Sequence, residues 1–97
     1  MKLRFSRQAQ QDLEDIADHI REQNPPAALR VRTAIIDSLR TLVLFPRIGR
    51  RQKTAGVRKL VTRRYSYIVY YTIDDTSEEV VILTIQHPAR GREHTDA

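Results

Sequence analysis

The sequence contains no cysteine and no tryptophan, only three glycines, and only four tyrosines and two phenylalanines among 97 residues. Without cysteine, a disulfide framework and a thiolate metal site are both excluded, and a reducing cytoplasm is the expected location. No apolar run approaches the ~20 residues that span a bilayer, and the opening "MKLRFSRQAQQDLED" lacks the apolar segment of a signal peptide. The chain is therefore expected to be soluble, with no membrane contact. His19 lies in an acidic stretch and His94 near the end, and neither has a second ligand at metal spacing. Neither a metal nor a cofactor is expected.

A second absence is local. From Ser38 to Ile73 there is no Asp or Glu, whereas Arg40, Arg47, Arg50, Arg51, Lys53, Arg58, Lys59, Arg63 and Arg64 all fall there. The net charge of +5 is thus concentrated in one stretch, which suits an anionic partner, whether phosphate or acidic protein. Arginine supplies 14 of the 17 basic residues, and its planar fork matches carboxylate and phosphate in bidentate fashion. A purely solvated basic face is the plainer reading, and the arginine bias argues against it.

The length suits a single domain, residues 1–97, with fraying expected from about residue 91. "KLRF" alternates apolar and basic residues as a short strand does. Ser6 is placed to cap a helix running from Arg7 to about Gln23, on which Ala9, Leu13, Ile16, Ala17 and Ile20 recur at steps of three and four. Asp12, Glu14, Asp15, Asp18 and Glu22 are expected mostly outward. "QNPPAA" ends that helix and starts another, with Asn24 as cap and Ala28, Val31, Ile35, Leu39 and Leu42 as its inner stripe. Pro46 and Gly49 close it. The segments "GVRKLVTR", "YSYIVYYTI" and "EEVVILTIQH" are rich in Val, Ile and Tyr and read as a three-strand antiparallel meander. Alternation puts Tyr67, Val69, Tyr71 and Ile73 on one face of the middle strand. The expected fold class is α+β in the order β-α-α-β-β-β, with an αα-hairpin packed on one face of an antiparallel sheet.

With "DLEDIADHI", "NPPAA", "LFPRIGRR", "YSYIVYYTI" and "VVILTIQHPAR" in this order, nearly the whole chain resembles the toxins of the RelE/ParE superfamily from bacterial type II toxin–antitoxin systems. The resemblance implies a growth-inhibiting toxin in a hetero-oligomer with a cognate antitoxin. It also implies one of two targets: RelE-like members cut mRNA on the ribosome, and ParE-like members inhibit DNA gyrase. The ending "ILTIQHPAR" looks like the ParE-like branch. RelE-like nucleases often carry an essential polar or aromatic residue after the last strand, and "PARGREHTDA" offers no Tyr or Phe. Gyrase inhibition is the expectation. A ribosome-dependent mRNA endonuclease, metal-independent, and a non-toxic basic nucleic-acid-binding module are the alternatives.

Cleavage of RNA without metal needs a base, an acid and positive charge at the phosphate. The catalytic candidates are His87, Arg63, Arg64 and Arg90, with the tyrosines of "YSYIVYY" behind them. A carboxylate is missing throughout the stretch between Asp37 and Asp74. The surface expected to meet a target or nucleic acid comprises Arg50, Arg51, Lys53, Arg58, Lys59, Arg63, Arg64 and Arg90. His87 has a structural reading too, as the residue capping the core edge on a face shared with Val81, Leu83 and Ile85. Arg90 could instead pair with the acidic first helix.

Overall fold

Ser6 and Asn24 set the two long helices. The Ser6 hydroxyl oxygen accepts the Ala9 N–H at the start of α1, Arg7–Gln23. Asn24 ends α1 by donating its own N–H to the Ile20 carbonyl, and its side-chain oxygen accepts the Ala27 N–H at the start of α2, Pro25–Leu44. One residue thus serves two helix ends. Before α1 comes the strand β1, Lys2–Phe5; after α2 come β2, Arg50–Arg51, β3, Val57–Val61, β4, Ile68–Asp74, and β5, Glu79–Gln86, then a single helical turn, α3, Pro88–Gly91. The computed structural model describes residues 1–91, with Arg90 described through its backbone alone. The expected fraying from about 91, together with Arg92 and His94, lies outside the described residues.

The strands form one five-stranded sheet in the order β1-β5-β4-β3-β2. The meander β3-β4-β5 is antiparallel as expected, but the sheet is mixed, because β1 pairs parallel to β5 with Leu3 opposite Val80 and Phe5 opposite Ile82. The long connection from β1 to β5, through the αα-hairpin and strands β2 to β4, makes a parallel pair possible. The hairpin covers one face, where Ala9, Leu13, Val31, Ile35, Leu39 and Leu42 meet Tyr67, Val69, Tyr71, Val80, Ile82 and Ile85. The alternation predicted for Tyr67, Val69, Tyr71 and Ile73 is the one observed.

The face predicted for the last strand needs correction. Tyr70 pairs with Thr84 and Tyr71 with Ile82, so Leu83 is an extra residue, a β-bulge. It changes the phase of β5: Val80 and Ile82 face the helices before it and Ile85 after it, while Val81 lies outside that core. The bulge is tied to the entry of α1. The Ser6 hydroxyl donates to the Leu83 carbonyl at 2.8 Å, and Asp12 accepts the Ile85 N–H at 2.9 Å. Asp12 is therefore not an outward-facing helix carboxylate; it is half-buried and serves a backbone group that the bulge leaves without a strand partner. Asp12→Ala should leave that N–H unpaired and lower stability by about 1–3 kcal/mol in urea unfolding. Asp12→Asn, which keeps an acceptor oxygen, should lose clearly less.

Candidate functional site

Cross-strand partners project from the same face of a sheet, so the pairing register sorts the basic residues. Arg51 pairs with Arg58, Arg58 with Tyr71, and Tyr71 with Ile82, which is the row that faces the helices. One step along, Arg50 pairs with Lys59, Lys59 with Tyr70, and Tyr70 with Thr84. This second row lies on the face away from the helical hairpin. With strands about 4.8 Å apart, it spans on the order of 15 Å across four strands. It joins two cations, a buried phenol and a hydroxyl.

The carboxylates of that face sit at its far end. Asp74 and Glu79 pair across the β4–β5 hairpin, about 13 Å along β4 from Tyr70 at ~3.3 Å per residue. Both are engaged. Asp74 accepts the N–H groups of Thr76 and Ser77, and these bonds, Ser77 first, hold its carboxyl below the usual carboxylate range. Glu79 pairs with Arg4 at 3.3 Å.

Arg58, by contrast, is committed to structure. Its guanidinium donates to the carbonyls of Arg47 at 3.1 Å and Gly49 at 2.8 Å. Beside it the fully buried Tyr71 takes the Gly49 N–H at 2.9 Å and donates its hydroxyl to the Pro46 carbonyl at 2.7 Å. Burial raises the Tyr71 pKa above its ordinary value, opposed by the Gly49 bond and the Arg58 charge. Together they fasten the segment from Pro46 to Gly49 that leads into Arg50. Arg40 and Arg47 are also paired, with Asp37 and Asp75. Arg51 is exposed at the sheet edge, and Lys53 is exposed in the turn between β2 and β3.

Arg63 and Arg64 occupy the turn between β3 and β4, well away from Arg50. Thr62, 2% exposed, holds that turn: its hydroxyl donates to the Arg64 carbonyl at 2.7 Å and accepts the Tyr67 N–H at 2.9 Å, and its own N–H donates to the Tyr67 carbonyl at 2.8 Å. Tyr65 and Ser66 follow one another at φ 65° and 54°, a left-handed pair for which Asn-Gly is the usual choice. For these two residue types that conformation costs roughly 1–2 kcal/mol each. Arg63, Arg64 and Tyr65 are exposed as a result, and neither arginine has a carboxylate within salt-bridge distance among the described residues.

His87 stands apart from the Arg50 to Thr84 row. Gln86 pairs with Ile68 on the outer face, which puts the next position on the helix side. There the His87 ring meets Tyr67 edge-on, centroids 5.6 Å apart and planes at 87°, and its Nδ1 accepts the Ala89 N–H at 3.1 Å, capping α3. Burial raises the pKa of the Tyr67 phenol, with nearby Tyr65 adding to the effect. The backbone of Arg90 lies in α3, and its side chain lies outside the described residues. Among the three catalytic candidates whose side chains are described, then, Arg63 and Arg64 share one turn, His87 sits at the base of that turn beside Tyr67, and none belongs to the Lys59–Tyr70 row. Tyr70 was among the tyrosine candidates, and alternation puts it on the face opposite Tyr67 and Tyr71, as observed; Thr84 and Thr62 were not singled out from sequence, because the bulge hides the face of Thr84 and Thr62 lies in a turn. No cluster of His, Cys, Asp or Glu that could hold a metal occurs among the described residues, and no described helix is long and apolar enough to cross a membrane.

A sequence profile described as "ParE toxin of type II toxin-antitoxin system, parDE" matches residues 3–92. The chain belongs to this ParE toxin family. Similar proteins agree with it. The chain is 33% identical over 86 residues, 89% of its length and 86% of the relative's, to a Sinorhizobium fredii protein named "Putative toxin Y4kP". The chromosomal ParDE toxin–antitoxin system of P. aeruginosa contains a chain 29% identical that superposes with a TM-score of 0.78, covering 90% of this chain and 95% of that one. The RelBE2 toxin–antitoxin complex of Mycobacterium tuberculosis gives 31% identity and a TM-score of 0.64, covering 89% and 95%. Membership in the ParE family sets aside the reading as a non-toxic nucleic-acid-binding module.

Proposed function

We propose that this ParE-family toxin arrests bacterial growth by inhibiting DNA gyrase, by binding rather than by catalysis, and that a cognate antitoxin holds it inactive. The observation that carries this reading is the separation of His87 from the Arg50–Lys59–Tyr70–Thr84 row. An acid–base pair for RNA cleavage has to converge on one phosphate. Here the exposed imidazole packs edge-on against Tyr67 at the base of the Arg63–Arg64 turn, where neither arginine has a carboxylate within salt-bridge distance among the described residues to complete an acid–base pair, while the cations of the row face the other way and the carboxylates of that face are occupied at its far end. What remains open at the row is its basic end, exposed Arg50 beside half-buried Lys59, suited to an acidic protein surface or to DNA. The P. aeruginosa ParDE superposition, better than that of RelBE2 at similar identity, supports the same branch.

A second reading, ribosome-dependent mRNA cleavage, draws support from Lys59 lying directly opposite Tyr70. The two readings separate in vitro. Purified toxin should block supercoiling by gyrase and leave translation of a preformed message intact. His87→Ala should remain inhibitory while losing about 1 kcal/mol of stability, since an edge residue contributes packing, whereas removing a general acid or base costs about 100-fold or more in rate. Messages cut only in the presence of ribosomes, with cutting abolished in a His87→Ala protein of unchanged melting temperature, would reverse the order of the two readings.

A further inference from the structure

The turn held by Thr62 is also the wall of a groove. The groove, about 870 Å³, lies between α2 and β3, with Leu29 and Ala34 on one side, Leu60 and Val61 on the other and Ile48 at one end. Leu29 is 69% exposed, Ile48 52% and Val61 49%, which is much uncovered aliphatic surface for a protein of this size. The strand edge beside it is open as well. β2 pairs with Lys59 and Arg58 only, so β3 continues through Leu60 and Val61 with no strand on its outer side among the described residues. Arg30 from α2 and Arg63 and Arg64 from the turn give the lining a positive balance against its one carboxylate, Asp37, which lies 3.8 Å from Arg40.

The occupant follows from that chemistry. Nucleic acid would find donors and the single ring of Tyr65 at the rim but an aliphatic floor with nothing to stack on, whereas a polypeptide with apolar residues on one side and carboxylates on the other would match floor and rim together. A turn already ordered before binding fixes where the carboxylates must fall, and so discriminates between partners of similar overall charge.

We propose that Thr62 is a positioning residue for partner selectivity: by holding Arg63, Arg64 and Tyr65 in the left-handed turn beside the groove, it sets which acidic, amphipathic protein segment docks there. This rests on the antitoxin reading above and adds where, and by which residues, the antitoxin is chosen.

The experiment measures binding of the full chain, as purified, to the purified product of the neighbouring reading frame and, separately, to a fluorescent single-stranded oligonucleotide, each over a range of salt. Arg63→Glu with Arg64→Glu should weaken the protein partner on the order of tenfold or more and flatten its salt dependence. Ser66→Gly, which relieves the strain of a positive φ and so spares both the fold and the turn, should bind as the wild type does. Thr62→Val, which removes both hydroxyl bonds of the turn, should weaken that binding a few-fold, with Thr62→Ser restoring affinity, a rescue that a purely structural defect elsewhere would not show. Wild-type affinity and salt dependence in the folded Arg63→Glu/Arg64→Glu and Thr62→Val proteins would overturn the assignment and leave the antitoxin reading standing. A wild-type chain that does not bind the neighbouring product at all would overturn both. Loss of oligonucleotide binding alone in the arginine variant would assign the turn to nucleic acid and overturn the inference.

Discussion

Gly49→Ala is expected to lower stability by about 2–4 kcal/mol, a fall of on the order of 10–25 °C in melting temperature for a domain of this size. A Cβ at Gly49 would lie 2.5 Å from the Tyr71 hydroxyl oxygen and 2.6 Å from its ring. The obstacle is the body of a fully buried side chain, so it cannot swing aside as a surface lysine would. Moving it also breaks the bonds from the Gly49 N–H and to the Pro46 carbonyl. Tyr71→Phe, which removes only the hydroxyl, should cost about 1–3 kcal/mol by leaving those two groups unpaired. The two changes should add to less than their sum, because the same hydrogen bonds can be lost only once. Thermal unfolding of the four proteins closes the cycle. A Gly49→Ala protein as stable as the wild type would mean that the segment between α2 and β2 is not fastened as described. Because Gly49 immediately precedes Arg50, that variant should also disturb the pairing of β2 with β3 and, with it, one end of the basic row.

The same glycine shows what the sequence could and could not convey. Gly49 and Pro46 read from sequence as the punctuation that closes α2, which places them correctly but gives the wrong reason, since the need for glycine comes from a tyrosine 22 positions later. Elements governed by local chemistry were legible. The helix limits, the caps at Ser6 and Asn24 and both apolar stripes follow from spacing and from the hydrogen bonds that short polar side chains make with their own backbone. Elements governed by partners distant in sequence were not. β1 joins β5 in parallel because the chain returns to it after the hairpin, and β2 is two residues long and exists only through its pairing with β3. The bulge at Leu83 was hidden because Val80, Val81, Ile82 and Leu83 are all apolar, so the run carries no alternation from which a phase slip could be read. That one slip moved Val81 and Leu83 off the face that Ile85 and His87 share.

The basic stretch was legible as charge and illegible as geometry. Nine cations between Ser38 and Ile73 looked like one surface, yet the register divides them: Arg58 is consumed by two carbonyls, Arg40 and Arg47 by carboxylates, Arg63 and Arg64 go to the turn, and Arg50 with Lys59 to the outer face. The turn itself gave no signal, since Tyr65-Ser66 is not a sequence that advertises consecutive positive φ values. Its geometry becomes understandable only once the two bonds of the Thr62 hydroxyl are seen.

This division makes the outer row the place where toxicity should be lost most completely. Arg50→Glu combined with Lys59→Glu is expected to abolish growth inhibition, lowering potency against gyrase supercoiling by about 100-fold or more, on the basis of ~2 kcal/mol or more for each charged residue central to an interface. Neither side chain is paired with a carboxylate among the described residues, and Arg50 is exposed, so the fold should survive with a change in melting temperature of only a few degrees. Two controls sharpen the result. Arg40→Glu with Arg47→Glu makes the same change of net charge at residues off the row, and should leave potency within a few-fold of the wild type. The Arg63→Glu/Arg64→Glu protein should remain inhibitory, because the turn belongs to the groove beside α2 and not to the outer face. If every charge reversal reduced potency equally, the toxin would be recognised through its net charge and the row would have no special part. If instead the Arg63→Glu/Arg64→Glu protein were inert and the Arg50→Glu/Lys59→Glu protein fully active, the target surface would lie at the turn.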